Sequence, residues 1–210
     1  MTVEELLEIE NKYIDEHKNS HCVYNAVGEL VPSNFEDDIY FLERGFIKRL
    51  NHIKAKKRNE LAKWGLTDFE MLILNCFEGP ISYAFKWNTY DDRNCPIPEM
   101  CEALDNILDK SPIYDETGVL YRYCSRDDRK DFKINDIFDV SHYLTTTKDK
   151  WLRDTNTYII TPKKQGTKAR SLYKLYNHGG ENQVTFKRNS KFQITKIKDG
   201  RKKIFYMKEL

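Results

Sequence analysis

The sequence predicts an α+β fold in which an N-terminal helical part precedes a set of short strands. Apolar residues recur at helical spacing through roughly the first half of the chain. Short β-rich runs begin near residue 118, and polar or glycine-containing turns separate them. Helices first and strands second is the order typical of an α+β domain.

The helical part is marked by three capping boxes, in which a hydroxyl and a carboxylate lie three residues apart and satisfy free N–H groups at a helix start. Apolar residues at helical spacing follow each box. Gly79-Pro80 ends the third helix, a further short helix is expected over 81–87, and Pro98 suits the first position of another over 98–109. The boxes are Thr2…Glu5, Ser33…Glu36 and Thr67…Glu70.

The strand-rich part contains five runs of apolar and β-branched residues. Residues 190–197 alternate between polar and apolar side chains, which predicts a strand with one buried face. The basic stretch 163–174 has no such pattern, so we expect a mobile loop there. The predicted strands cover 119–124, 157–161, 184–186, 192–197 and 204–207.

Composition limits the possible classes of protein. A chain of 210 residues with 40% apolar content can form one domain with a helical extension, which we place at 1–66 before a domain at 67–210. No run of 18 apolar residues is present, so no membrane span is expected. The acidic, periodic N-terminus does not resemble a signal peptide. Five irregularly spaced cysteines indicate neither a disulfide framework nor a zinc site, so we expect reduced cysteines and a cytoplasmic location.

The net charge of +2 hides a strong asymmetry. Residues 151–210 hold 15 Lys+Arg and 4 Asp+Glu, a charge of +11, so residues 1–150 carry −9. A basic region of this kind attracts a dinucleotide, a nucleic acid or an acidic protein. It is equally explained by charged residues on the exposed faces of strands.

Three segments carry groups suited to chemistry. Arg122 lies in the strand-like run Val119-Leu120-Tyr121-Arg122, where a guanidinium needs an anionic partner such as a phosphate or a carboxylate. Thr145-Thr146-Thr147 follows Tyr143-Leu144 and offers three hydroxyls at a strand end. Gly179-Gly180 leads into Glu181-Asn182-Gln183-Val184, where a strand period of two would place Glu181 and Gln183 on one face.

In this order and spacing the three segments resemble the Arg…Ser-Thr-Ser…Glu-x-Glu signature of the ADP-ribosyltransferases. The resemblance covers roughly residues 67–210 and is nearest to the small enzymes of T-even-like phages. It implies two packed, mostly antiparallel sheets around an NAD cleft, with helices on the N-terminal side. NAD would be a consumed substrate, and no metal is implied.

The resemblance also implies roles for individual residues. Arg122 and Tyr121 would bind NAD together with the hydroxyls of Thr145 and Thr146. Glu181 would activate or select the acceptor, and position 183 would carry the catalytic acid. The loop 172–180, with Tyr173 and Tyr176, would recognise an acceptor protein, which the phage enzymes find in the translation or transcription machinery of the host.

Gln183 departs from the family pattern because a glutamate is expected at that position. Three explanations are open: a deliberate isosteric replacement, a natural change that leaves a weak enzyme or an NAD-binding relic, or a shifted register in which Glu181 is the working acid. Val184 follows position 183 as the family expects, which favours the first two. Threonines also replace both serines, and Tyr123 replaces the glycine that usually follows the arginine.

The leading hypothesis is therefore a mono-ADP-ribosyltransferase that modifies a protein side chain, with arginine favoured by family analogy. A second hypothesis is a catalytically silent module that holds NAD or a partner, which Gln183 favours. A third is an RNA-binding protein that uses the basic C-terminal region, for which a steep salt dependence is expected.

Overall fold

The computed structural model describes residues 55–77, 98–124 and 132–210, together with Glu5, Glu8, Ile53 and two short strands near the N-terminus. The chain divides into two compact units, 1–110 and 111–210. The predicted extent of the catalytic domain, 67–210, stays a prediction. The helices expected over 33–50 and 81–87 and the Gly79-Pro80 break lie outside the described residues, and of the first predicted helix only Glu5 and Glu8 are described, both helical.

The first unit contains helices α1 (Ala55–Ala62), α2 (Asp68–Phe77) and α3 (Pro98–Lys110). The third capping box is confirmed, because Thr67 N donates to Glu70 Oε2 at 2.7 Å and Glu70 N donates to Thr67 Oγ1 at 3.2 Å. The last residue of α3 also reaches this box, with Lys110 Nζ 2.7 Å from Glu70 Oε2. In the described part of the chain, no helix has the length and apolar character needed to cross a bilayer.

Two features of this unit correct the sequence-based expectations. The strands β1 (Cys22–Tyr24) and β2 (Leu30–Pro32) pair antiparallel in a region expected to be helical. Each strand has three residues, too few for periodicity to reveal it. Cys101 is disulfide-bonded, so the expectation of reduced cysteines is wrong for this residue, because sequence spacing does not show which side chains a fold brings together.

The second unit is built on an eight-stranded sheet in the order β4-β9-β10-β6-β3-β5-β8-β7. Neighbouring strands are antiparallel except for the parallel pair β6 and β10. An α+β fold with mostly antiparallel strands is thereby confirmed. The strands are β3 (Leu120–Cys124), β4 (Ile137–Val140), β5 (Leu144–Thr147), β6 (Asn156–Thr161), β7 (Ala169–Arg170), β8 (Gln183–Phe186), β9 (Ser190–Lys198) and β10 (Ile204–Glu209).

The sheet has two parts that meet at one point. Five strands, from β4 to β3, form one part, and β5, β8 and β7 form the other. Between the parts, β3 and β5 pair only at Tyr121 and Thr147. Where two sheets were expected, the structure thus has one hydrogen-bonded order with a narrow junction, and the predicted motifs lie at that junction.

The core of this unit is aromatic on the side of β4, β9 and β10. Phe192 is fully buried and meets Phe186 edge to face, with ring centroids 4.9 Å apart. The predicted alternation in β9 holds for Ser190, Phe192 and Ile194 and then changes phase. The register between β9 and β10 shifts by one residue between Tyr206 and Met207, and a bulge of this kind moves the following side chains to the other face.

The basic segment expected to be a mobile loop is held by a buried carboxylate. Glu209 accepts hydrogen bonds from Lys163 N at 2.9 Å, Thr167 Oγ1 at 2.6 Å and Lys168 N at 2.7 Å. Strand β7 and the short 3-10 helix Leu172–Lys174 also lie within this segment. Three bonds from one buried acceptor fix the path of the chain between β6 and β7.

Candidate active site

The three motif segments become neighbouring strands. β5 lies between β3 and β8, so the residues singled out in the sequence are brought together although they are far apart in the chain. Tyr121 is the register partner of Thr147, which is also the partner of Gln183. Directly opposite side chains on paired strands lie on one face, so Tyr121, Thr147 and Gln183 form a row across the junction of the sheet.

Arg122 binds the second motif directly. Its Nη1 donates to Thr145 Oγ1 at 3.1 Å and to the carbonyl oxygen of Thr145 at 3.3 Å. The side chain is half-buried, and no carboxylate pairs with it within the residues that the structure describes. A partly desolvated guanidinium without an acidic partner retains donors for an external anion such as a phosphate.

The three threonines of β5 are all buried, but their hydroxyls serve different partners. Thr146 Oγ1 donates to the carbonyl of Val184 at 2.6 Å, and Thr147 Oγ1 donates to the carbonyl of Glu181 at 2.7 Å. These two hydroxyls therefore join β5 to β8 and to the turn before it, whereas Thr145 meets Arg122. The predicted role of Thr146 in NAD binding stays a prediction, since its proton is used within the protein.

Glu181 and Gln183 do not share a strand face in the way that the sequence argument assumed. β8 begins at Gln183, and Asn182 before it has a left-handed φ of 47°. The period of two applies only to extended backbone, so it does not place these two side chains on one face, and their pairing stays a prediction. Glu181 is exposed, while Gln183 is half-buried and its Nε2 donates to Thr185 Oγ1 at 3.1 Å.

Tyr123, which stands where the family pattern has glycine, belongs to an aromatic stack along β3. Its ring lies 6.3 Å from that of Tyr121 and 5.4 Å from that of Trp151, nearly parallel to both. Its hydroxyl oxygen accepts a hydrogen bond from Trp151 N at 2.6 Å. Arg153 lies over the Trp151 ring, 4.7 Å from the ring centroid. The substitution thus anchors the loop after β5 to β3.

The predicted acceptor loop is tied to the segment before β3. The hydroxyl of Tyr173 donates to Glu116, and Lys148 Nζ lies 3.1 Å from Glu116 Oε2 and 4.6 Å from the centre of the Tyr173 ring. The hydrogen bond from Tyr173, with help from Lys148, lowers the pKa of Glu116. Burial, and next the bond to Glu116, raises the pKa of Tyr173.

Tyr176, the other tyrosine expected to contact an acceptor protein, is half-buried and follows the 3-10 helix Leu172–Lys174. Its backbone N–H donates to the carbonyl of Leu172 at 3.0 Å, so the loop folds back on itself at this point. The roles of Tyr173 and Tyr176 in recognition stay predictions.

Four residues at this site received no individual role in the sequence analysis. Thr147 links β3, β5 and β8 through its register, and Thr185 holds the Gln183 amide. Asn182 and Asp149 are joined by a hydrogen bond of 2.8 Å from Asn182 Nδ2 to Asp149 Oδ2. An asparagine two residues after the pair Gly179-Gly180 is compatible with left-handed backbone in a turn, whereas the partnership with Asp149 depends on strand order.

Among the described residues, no group of three or more His, Cys, Asp or Glu side chains is arranged to hold a metal ion.

Comparison with known proteins reveals the fold through structure and not through sequence. No protein-family model matches the chain, and no curated protein sequence matches it. The type III effector XopAI of Xanthomonas axonopodis pv. citri, solved with a 70-residue N-terminal truncation, has a similar structure, with a TM-score of 0.61, 12% identity, and coverage of 100% of this chain and 89% of the truncated effector.

Two further structures agree. Plx2a, an ADP-ribosyltransferase toxin from Paenibacillus larvae, has a TM-score of 0.55 and 15% identity over 77% of this chain and 96% of the toxin. Exoenzyme S of Pseudomonas aeruginosa, solved with human 14-3-3 protein beta and Carba-NAD, has a TM-score of 0.59 and 10% identity over 81% of this chain and 88% of the exoenzyme. At such identities the likeness concerns architecture alone, and on that ground the chain has the ADP-ribosyltransferase fold.

Proposed function

We propose that this protein is a mono-ADP-ribosyltransferase that transfers ADP-ribose from NAD to a protein side chain and releases nicotinamide. The observation that carries the proposal is the adjacency of β3, β5 and β8, which joins Arg122 to Thr145 and sets Thr147 opposite Gln183. The fold alone would not suffice, because one fold can host unrelated functions.

The chemistry assigns a task to each group. Departure of nicotinamide breaks the glycosidic C–N bond, and the electron pair leaves with nicotinamide, so positive charge builds on the ribose. Arg122 holds the phosphates of NAD, and the Thr145 hydroxyl, which already accepts from Arg122, orients the nucleotide beside it. The acceptor then bonds to the ribose carbon and loses a proton. Arginine is the favoured acceptor, with Glu181 at the acceptor side.

Position 183 determines the rate of this reaction. A fixed carboxylate near the ribose would stabilise the developing positive charge in a partly dry cleft. Gln183 supplies a hydrogen-bonding amide without charge, and its Nε2 is directed to Thr185. We therefore infer that the chain as it stands is weak or inactive and that Gln183→Glu increases the transfer rate by about a hundredfold or more.

The neutral amide also supports a second candidate, a catalytically silent module that binds NAD or a partner through the same cleft. Such a module requires Arg122 for binding but no charge at position 183. By the resemblance to phage enzymes, the partners in either case would be proteins of a host cell, with an RNA contact through the basic C-terminal region as a further alternative.

The experiment that tests the proposal measures transfer of labelled ADP-ribose from NAD to proteins of a bacterial lysate. The chain and its Gln183→Glu variant are compared, and Gln183→Glu combined with Glu181→Gln is the matched control for register. Labelling by the glutamate form alone supports the proposal. Equal labelling by both forms makes Glu181 the working acid. If neither folded form labels protein while both bind NAD, the silent module replaces the enzyme.

A further inference from the structure

The turn that precedes β8 is held by hydrogen bonds that converge on Asn182. The backbone N–H of Asn182 donates to Asn177 Oδ1 at 3.0 Å, and its carbonyl oxygen accepts from Lys148 N at 3.4 Å. Its side-chain Oδ1 accepts from Asn177 Nδ2 at 3.0 Å, and its Nδ2 donates to Asp149 Oδ2 at 2.8 Å. Every polar atom of this residue is therefore engaged within the protein.

The network closes through the end of β5. Asp149 N donates to Thr147 Oγ1 at 3.0 Å, and Thr147 Oγ1 donates to the carbonyl of Glu181 at 2.7 Å. A continuous circuit thus runs from Asn182 to Asp149, on to Thr147 and back to Glu181. Gln183, the register partner of Thr147, is the first residue beyond this circuit. The circuit therefore sets the position of the Gln183 backbone.

The residue type at position 182 is tightly constrained. A φ of 47° is readily adopted by glycine, asparagine and aspartate and is costly for most other residues. Glycine has no side chain to bond Asn177 and Asp149. Aspartate can accept from Asn177 but has no proton for Asp149, and its charge would face another carboxylate. Of these three residues, only asparagine combines the left-handed backbone with an acceptor for Asn177 and a donor for Asp149.

We propose that Asn182 is a positioning residue of the ADP-ribosyl transfer site, which holds position 183 against the end of β5 and couples the turn 177–182 to the loop after β5. Its contribution to catalysis rests on the proposed function. It is not a catalytic residue, because its side chain is occupied by protein partners. Misplacement of a reacting group by about 1 Å can cost on the order of a hundredfold in rate, so fixing this turn matters for the chemistry.

The test exchanges the two partners in the Gln183→Glu background. Asn182→Asp sets two carboxylates against each other and is expected to lower kcat for labelled ADP-ribose transfer about tenfold or more, with KM for NAD nearly unchanged. Asp149→Asn alone is expected to cause a smaller loss, since the new amide oxygen can still accept. The double variant Asn182→Asp/Asp149→Asn restores a donor and an acceptor in reversed order, and kcat should recover to within a few fold of the background.

The control is Asn189→Asp, because Asn189 also has a left-handed φ of 59° but lies in the turn between β8 and β9. It should leave kcat unchanged. An Asn182→Asp variant with the kcat of the background, or a double variant without recovery, overturns the proposal.

A second measurement separates this inference from the proposed function. Hydrogen exchange of the backbone amides at 182–184 is followed in the same variants and needs no activity. Asn182→Asp should accelerate exchange and the double variant should slow it again. If the Gln183→Glu form transfers no ADP-ribose, the proposed function fails, and the exchange rates still decide whether Asn182 fixes the turn; unchanged rates refute it.

Discussion

The two sides of the eight-stranded sheet differ in the side chains that they bury. On the side of β9 and β10, buried positions are filled by large apolar rings such as Phe192 and Phe205. On the side of β5 and β8, apolar residues such as Phe186 are buried as well, but buried hydroxyls accompany them, with Thr145, Thr146 and Thr185 all at most 6% exposed. A buried hydroxyl stabilises the fold little unless it forms a hydrogen bond. The side of β5 and β8 therefore depends more on directed hydrogen bonds than the side of β9 and β10. The comparison suggests that one side maintains the fold and the other holds the site.

The largest effect on stability is expected at the aromatic side. Phe192→Ala removes a fully buried ring that packs edge to face on Phe186. We expect the free energy of unfolding to fall by about 3–5 kcal/mol. Denaturant titration measures this loss. A loss below about 1 kcal/mol would show that the aromatic side does not maintain the fold.

The next effect concerns the junction where β3 meets β5 and should appear in binding. Arg122→Ala removes the guanidinium that contacts Thr145, and we expect NAD affinity to fall by about 2 kcal/mol, or roughly thirtyfold, because charged hydrogen bonds to phosphate are lost. Calorimetric titration with NAD measures the change. Arg122→Lys keeps the charge but lacks the planar guanidinium, so its NAD affinity should lie between those of the unchanged chain and Arg122→Ala. Equal affinity in all three forms would place NAD elsewhere.

Two neighbouring threonines sharpen the division within β5. Thr146→Val leaves the buried Val184 carbonyl without its hydroxyl partner, so we expect a loss of about 1–2 kcal/mol in unfolding free energy and little change in NAD affinity. Thr145→Val should instead lower NAD affinity and change the unfolding free energy little, because the Thr145 hydroxyl accepts a hydrogen bond from Arg122. Thermal unfolding and NAD titration of both variants provide the comparison. Identical behaviour of the two would refute separate roles.

The smallest effect is expected at the half-exposed loop. Tyr173→Phe removes the hydrogen bond to Glu116 and should lower the unfolding free energy by about 1 kcal/mol at neutral pH. Because the folded state lowers the pKa of Glu116, this stabilisation is present above the carboxyl's unfolded pKa and is lost as the pH falls through the folded value. The two forms should therefore converge in stability in acid. A difference that persists at low pH would exclude Glu116 as the partner.

Sequence patterns predicted the elements better than their arrangement. Strands β6, β8, β9 and β10 are continuous apolar or alternating runs, and the box at Thr67 and Glu70 specifies a local hydrogen-bond pattern, so both were accessible to short-range rules. β7 has two residues, too few for any periodicity. The left-handed backbone at Asn182 and its bond to Asp149 were missed because they depend on which strands become neighbours.

The candidate site shows the same division. The resemblance carried by the order and spacing of the three motifs implied that they meet, and the structure places them on adjacent strands. Their individual geometry was not predictable, because a single positive φ removed Glu181 from the strand that carries Gln183.

The position of β10 has a consequence for how the molecule folds. This strand lies between β9 and β6, and its parallel pairing joins Ile204 to Thr157 across a long stretch of chain. Until β10 docks, the hairpin partner β9 and the edge strand β4 have no hydrogen-bonded strand pairing with β6 and β3. The entropy cost of closing such a large loop must be met before the strand contacts can stabilise the chain, and this slows folding. We therefore expect this unit to refold in about milliseconds to seconds, as proteins rich in non-local strand pairs do.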